Sequence, residues 1–270
     1  MLLPFLFATY LVLEAVEASA GGALSRMLER AKSVGPLAGA LAGAIPQCGV
    51  SAAAASFYAG GVITVGTLLA VLLSTSDELL PVLVSVPEAS WTLVWKIVGI
   101  KIACAIAAGF SVNGVLAVMR HLRREVHVHD LCQVSHCSCT ERKGIVIPAL
   151  IHTAEIFLFI AVVSGAIELA MHFGGEDALD GLRLNTPVAG EMVGALIGML
   201  PNCAVSVACA KLYLSGAMSA GALMASSFAG SGLGLLVLFR TNRSLKENLC
   251  VLLLVYLFGV LLGLLTGPLL

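Results

Sequence analysis

Two short stretches of the chain carry residues suited to holding an ion. The first is Ile45-Pro46-Gln47-Cys48-Gly49-Val50-Ser51, and the second is Leu200-Pro201-Asn202-Cys203-Ala204-Val205-Ser206. Each places a thiol next to a side-chain amide and just ahead of a hydroxyl, within apolar surroundings. A pair of thiolates with amide and hydroxyl neighbours suits soft ions such as Zn²⁺, Cd²⁺, Cu⁺ or trivalent arsenic. The plainer reading is that proline sets the backbone geometry and the cysteines pack as small residues. A third stretch, Ser74-Thr75-Ser76-Asp77-Glu78, adds hydroxyls and two carboxylates. Asp77 or Glu78 could carry a coupling proton, a usual task of intramembrane acids.

A fourth constellation lies in the one large hydrophilic loop, which contains His127, His129, Asp130, Cys132, His136, Cys137 and Cys139. Three histidines and three cysteines so close together form a metal-binding composition, although the spacing is not that of a zinc finger. The plainer alternative is a polar loop that happens to be rich in these residues. His152 follows in the first turns of the next apolar segment. It is either a hydrogen-bonded packing residue or a ligand on the path from the loop to the core.

Stepping the sequence by 155 positions lays the first motif on the second. Over the 37 aligned positions from Pro46 to Val82, 14 are identical, among them Tyr58/Tyr213, Gly61/Gly216, Gly66/Gly221 and Ser76/Ser231. This is an internal duplication. Ser231, in the stretch Gly230-Ser231-Gly232, occupies the place of Ser76, but the carboxylates of the first copy have no equivalent there. The two halves are therefore chemically unequal.

The elements that must position these residues are set by composition. The chain has 270 residues, of which 59% are hydrophobic and only 11% charged, with a mean hydropathy of +1.00. Soluble domains carry about 25% charged residues. Residues 33–76 contain no charge at all. The chain reads as a polytopic membrane protein. A net charge of −1 leaves no electrostatic case for nucleic acid. The eight cysteines do not form a secreted disulfide framework, because they divide between apolar segments and one loop. The first 20 residues lack a basic leader and contain Glu14 and Glu17, so they read as a retained membrane helix rather than a signal peptide.

Both Pro-x-Cys motifs interrupt an apolar segment near its middle. Each limb has about 10–12 residues, or roughly 15–18 Å, half of a ~30 Å hydrocarbon core. Such a segment is either one kinked span or a re-entrant hairpin, and charge placement separates the two. With hairpins, 11 of the 15 Lys/Arg fall on one side: Arg26, Arg30, Lys32, Arg120, Arg123, Arg124, Arg142, Lys143, Arg240, Arg243 and Lys246. Only Arg183 falls on the other. The positive side is cytoplasmic, and kinked spans would dissolve the asymmetry. The expected fold is an all-α integral membrane protein of two inverted repeats. Each repeat has three spanning helices, one of them broken, and one re-entrant hairpin. Residues 1–119 form the first repeat, 120–144 the cytoplasmic His/Cys-rich loop and 145–270 the second repeat. Inverted repeats with broken helices are the plan of secondary transporters. The stripe Gly35-x-x-x-Gly39-x-x-x-Gly43 is expected to let helices pack closely. Glu14, Glu17, Lys96, Lys101, Glu168, Glu191 and Lys211 are expected to form interhelical pairs or to reach the interface.

The first Pro-Gln-Cys motif, the Ser74–Glu78 stretch, the His/Cys-rich loop with His152-Thr153 after it, and the second Pro-Asn-Cys motif together resemble a prokaryotic membrane family. It is labelled as ten-transmembrane heavy-metal exporters, arsenic efflux proteins or manganese transporters. The resemblance covers nearly the whole chain and implies export of a metal or metalloid. Six spans and four hairpin limbs match its ten segments.

The sequence thus points to a transporter of the inner (plasma) membrane, not an enzyme, that exports a heavy-metal or metalloid ion by proton exchange. Pro46, Gln47, Cys48, Ser51, Ser74, Thr75, Ser76, Asp77, Glu78, Pro201, Asn202, Cys203, Ser206 and Ser231 are the expected substrate-binding residues. His127, His129, Asp130, Cys132, His136, Cys137, Cys139 and His152 are the expected metal ligands. No cofactor is required beyond the metal ion as substrate and loop ligand. The expected partners are that ion, the lipid bilayer and protons, with a homodimer left open. The main rival is transport of a hard ion such as Mn²⁺ on Asp77, Glu78, amides and carbonyls. A membrane-embedded metalloenzyme built on the His/Cys cluster is the weaker alternative.

Overall fold

The computed structural model describes residues 34–45, 48–75, 91–119, 185–200 and 203–269, with isolated positions between 154 and 165. The described residues are helical or lie in turns, with no strand among them. In chain order the helices are α1 (Val34–Gly43), α2 (Cys48–Ala59), α3 (Val65–Ser74), α4 (Trp91–Met119), α5 (Ala189–Gly198), α6 (Cys203–Leu214), α7 (Ala220–Ala229), α8 (Gly234–Thr241) and α9 (Leu245–Thr266). A turn of 3-10 helix over Gly267–Leu269 closes the described chain.

The helix bounds repeat at the offset of the sequence duplication. Adding 155 to the ends of α1, α2 and α3 gives the ends of α5, α6 and α7. Local chemistry explains why. Gly61 (φ 70°) and Gly216 (φ 77°) adopt the left-handed conformation that glycine reaches without a Cβ clash. Each ends its helix with the same pair of bonds: Gly61 N–H to Tyr58 O (2.9 Å) with Val62 N–H to Phe57 O (2.9 Å), and Gly216 N–H to Tyr213 O (3.0 Å) with Ala217 N–H to Leu212 O (2.9 Å). That is a Schellman stop, which satisfies carbonyls that the helix end leaves open. Three residues later the next helix starts on a hydroxyl cap. Thr64 Oγ1 accepts from Thr67 N–H (3.2 Å), and Ser219 Oγ accepts from Ala222 N–H (3.0 Å).

Glycine governs the packing of these limbs. A Cβ on Gly39 would lie 3.0 Å from the Thr67 carbonyl oxygen, and one on Gly194 would lie 2.6 Å from that of Ala222. Gly43 meets Val71 and Ser74, and Gly198 meets Ser226, so α1 lies against α3 as α5 lies against α7. The expected glycine stripe thus has a twin at Gly190, Gly194 and Gly198. The long helices follow suit. A Cβ on Gly109 of α4 would sit 2.7 Å from the Gly66 carbonyl oxygen, and one on Gly263 of α9 would sit 2.8 Å from that of Gly221.

The core is the pair α3 and α7. Gly66 to Ser74 and Gly221 to Ala229 are buried on every face, with Leu68, Leu69, Leu72, Leu73, Leu223, Met224 and Phe228 fully enclosed. Helices that are apolar all round belong at the centre of an assembly or in lipid. The outer surface is apolar as well. On α9, Leu245, Leu249, Leu253, Leu257, Leu261 and Leu265 form an exposed stripe opposite the buried Asn248, Val251, Val255, Gly259 and Gly263. A face of that kind is paired with acyl chains rather than water. Three stretches are long and apolar enough to cross a bilayer: Val94–Val118, Ala220–Thr241 and Leu245–Leu269. The second contains the break between α7 and α8, where Gly232 takes φ 54°.

Candidate ion site at the broken helices

Each break leaves helix ends without continuing partners inside an apolar body, where the last-turn carbonyls need donors. At the end of α3, Thr75 Oγ1 donates to Val71 O (2.7 Å) and Ser74 Oγ donates to the same oxygen (3.0 Å). At the end of α7, Ser226 Oγ donates to Leu223 O (2.8 Å), and Gly230 N–H closes on Ser226 O (2.8 Å). Thr75 O and Ser227 O accept from a different source, the side chain of Lys101 in the middle of α4.

Lys101 is 1% exposed and is among the largest fully enclosed side chains. Its Nζ donates to Thr75 O (2.5 Å), Ser227 O (2.8 Å) and Ser227 Oγ (2.9 Å). The Phe228 ring lies beside it, 5.8 Å from Nζ to the centroid. Burying an ammonium costs several kcal/mol unless its donors are matched. Here it sits where two helices end, each presenting the negative end of its dipole. One end belongs to the first copy of the duplication and the other to the second, so Lys101 ties the two halves together. In the second half Gly263 of α9 takes the place of Gly109 against Gly221, so the position matching Lys101 is Val255, an apolar and fully buried residue. The chemical inequality expected from Asp77 and Glu78 therefore extends to a cation present in one copy only.

The two halves also meet at a second point. A Cβ on Gly234, the first residue of α8, would lie 2.9 Å from Ser51 Cβ and 3.0 Å from Ser51 O. Ser51 is fully buried in the first turn of α2, just after the Pro-Gln-Cys motif. Only a glycine lets the α8 terminus approach so closely. Ser231, in the break itself, is 1% exposed, and its Oγ has no hydrogen-bond partner among the described residues. A buried hydroxyl left open in this way is costly and is often completed by an ion or a water.

The structure brings Thr75, Ser231 and Ser51 to these two junctions, with Ser74 one residue before the Lys101 contact. Ser206, the counterpart of Ser51, is half-buried on α6. The helices α2 and α6 begin at Cys48 and Cys203. Pro46, Gln47, Ser76, Asp77, Glu78, Pro201 and Asn202 lie outside the described residues, as do the loop residues His127, His129, Asp130, Cys132, His136, Cys137 and Cys139, and His152. Of the remaining intramembrane charges, Lys96 is exposed and donates to Leu269 O (3.2 Å), and Lys211 is exposed. Glu191 is buried against Gly221, and its Oε2 has no partner among the described residues.

Lys101, expected to pair between helices or to reach the interface, turns inward and bridges the ends of α3 and α7. The pattern of α4 marks its face. Val94, Ile97, Ala105, Ala108 and Val112 are buried with Lys101 at helical spacing, while Trp91, Trp95 and Phe110 are exposed. Lys101 thus sits on the small-residue face that packs inward. Ser227 and Gly234 carried no such signal.

A family described as "Putative, 10TM heavy-metal exporter" matches residues 3–173, more than half of the 270. No curated protein and no solved structure matches the chain. The matched residues take in both polar motifs of the first half, Lys101, the His/Cys-rich loop and His152. An all-helical fold, a lipid-type apolar surface, broken helices that meet at buried polar junctions and this match lead to one statement: the chain belongs to that family of ten-transmembrane heavy-metal exporters.

Proposed function

We propose that the protein is a secondary active transporter that exports a heavy-metal or metalloid ion across the inner membrane in exchange for protons. The observation that carries this reading is the meeting of two duplicated, broken elements at buried polar junctions: Thr75 with Ser227 through Lys101, and Ser51 with Gly234. A site shared by two copies of one element suits alternating access, since each copy can close one side of the membrane. The inverted arrangement, the re-entrant hairpins and the three-part division at 119 and 144 belong to this proposal, supported by the Lys/Arg asymmetry.

In this reading Cys48 and Cys203, with Gln47, Asn202, Ser51 and Ser206, hold the ion between the halves. Pro46 and Pro201 break the helices there. Ser74, Thr75, Ser76 and Ser231 complete the polar lining, Asp77 carries the coupling proton, and Glu78 supports it. The loop residues His127, His129, Asp130, Cys132, His136, Cys137 and Cys139 capture the ion on the cytoplasmic side, with His152 at the entry to the core. Purified protein in liposomes, tested with Zn²⁺, Cd²⁺, Mn²⁺ and arsenite under an imposed pH gradient, checks this. Soft-ion transport that disappears in C48S/C203S is the expected outcome; unchanged transport sinks the thiolate site.

One observation favours a second reading. The open polar group described beside the junctions is the Ser231 hydroxyl, a hard donor, whereas Thr75 O, Ser227 O and Ser227 Oγ are taken by Lys101. A hydroxyl suits Mn²⁺ with Asp77 and Glu78 as further ligands. Transport of Mn²⁺ that survives C48S/C203S and is lost in D77N would establish it.

A further inference from the structure

Three oxygens converge on one point between α3 and α7: Thr75 O, Ser227 O and Ser227 Oγ, at 2.5, 2.8 and 2.9 Å from the Lys101 nitrogen. Two of them are carbonyls in the last turn of a helix or just beyond it, and the two helices come from opposite copies of the duplication. The ends of α3 and α7 each contribute about half a negative charge, so the point between them is a place of negative potential. The Phe228 ring adds an aromatic face on one flank. Carbonyl and hydroxyl oxygens around a negative point are also how proteins strip the hydration shell from an alkali cation. An ammonium and K⁺ are close in size and charge.

We propose that Lys101 is a built-in cation: its ammonium occupies a monovalent-cation site formed by the facing ends of α3 and α7, and so removes any need for a bound alkali ion there. The side chain supplies the charge from the middle of α4, so the site is always filled and its occupancy does not depend on the medium. The second half carries Val255 at the matching position of α9, so that helix supplies no second cation there. Lys101 acts here as a positioning residue. It holds the two helix ends at the distance that the neighbouring junction of Ser51 with Gly234 requires. The inference goes beyond the export reading and stands whichever ion is the cargo.

The test compares wild type with K101A in detergent by thermal unfolding, at constant ionic strength. KCl, methylammonium chloride or choline chloride is the salt in turn. K101A opens the space that the stem and ammonium fill. Its Tm is expected to fall in choline, which is too large to enter, and to rise in K⁺ or methylammonium. Binding at a hundred times Kd would shift it by roughly 5–10 °C. Wild-type Tm is expected to be the same in all three salts. Loss of a merely structural side chain would lower the Tm of K101A equally in all three salts, and that result overturns the proposal. So does a wild type that responds as K101A does. K101M keeps the test decisive if K101A does not fold. Its side chain fills the same space without charge, so its Tm should be lowered in every salt. A K101M protein as stable as wild type overturns the proposal.

Discussion

Gly109 offers a sharp test of how α4 is seated. A Cβ there would lie 2.7 Å from the Gly66 carbonyl oxygen, 2.8 Å from Pro36 Cβ and 2.9 Å from Ala70 Cβ. All three atoms belong to backbone or to short side chains on α1 and α3, and none can swing aside. Reaching an ordinary contact near 3.4 Å requires α4 to move by roughly 0.5–0.7 Å, and overpacking of this kind costs about 1–3 kcal/mol. Gly99 and Gly114 on the same helix are exposed, and a Cβ on either meets nothing within 4 Å. There alanine gains helix propensity, by about 0.5–1 kcal/mol. The difference between G109A and G99A is therefore about 1.5–4 kcal/mol, which amounts to roughly 3–15 °C in Tm for a chain of this size. Thermal unfolding of the two variants in one detergent reads it directly. Lys101 lies eight residues from Gly109, about 12 Å along the helix. A displaced α4 therefore also pulls its ammonium from Thr75 O and Ser227 O, and G109A should lose transport more fully than its stability alone explains. Equal Tm values for G109A and G99A would refute the close seating of α4 on α3.

Three further outcomes follow from single side chains. Replacing the Ser219 cap by alanine removes the acceptor of Ala222 N–H, so S219A should lose about 1 kcal/mol, and S219D should retain most of it; thermal unfolding checks both. Glu191 is buried, with one carboxylate oxygen unpartnered among the described residues, so E191Q should be at least as stable as wild type; a Tm lowered by several degrees would show that its charge is matched. Leu257 lies on the exposed stripe of α9, and if that stripe meets lipid, L257R should cost about 2–3 kcal/mol in membrane insertion, measured as the inserted fraction in microsomes or liposomes; insertion equal to wild type would contradict the lipid assignment.

Much of this molecule is legible in its sequence because the deciding interactions are local. The stops at Gly61 and Gly216, the caps at Thr64 and Ser219, and the interruptions after Ile45 and Leu200 act within a few residues. A duplicated sequence therefore repeats its helix bounds at the same offset of 155. The membrane class follows from composition, since a chain with 11% charged residues has too little polar surface to face water. The glycine stripe at Gly35, Gly39 and Gly43 announces a close approach, because a missing Cβ has few other uses on a helix face.

What the sequence cannot state is which partner each face meets. Lys96 and Lys101 are the same residue type in the same apolar helix, five positions apart, and so point about 140° away from each other. Periodicity separates their faces, but only the packing of α3 and α7 turns one of them inward. Lys96 reaches Leu269 O at the surface, while Lys101 is enclosed where two helices from different copies end. Ser227 and Gly234 became site residues for the same reason. Their roles depend on contacts across 126 positions to Lys101 and across the two halves to Ser51. Local chemistry in the sequence determines where helices start, stop and break; the meeting of those ends, and the charge placed between them, exists only once the two halves are packed together.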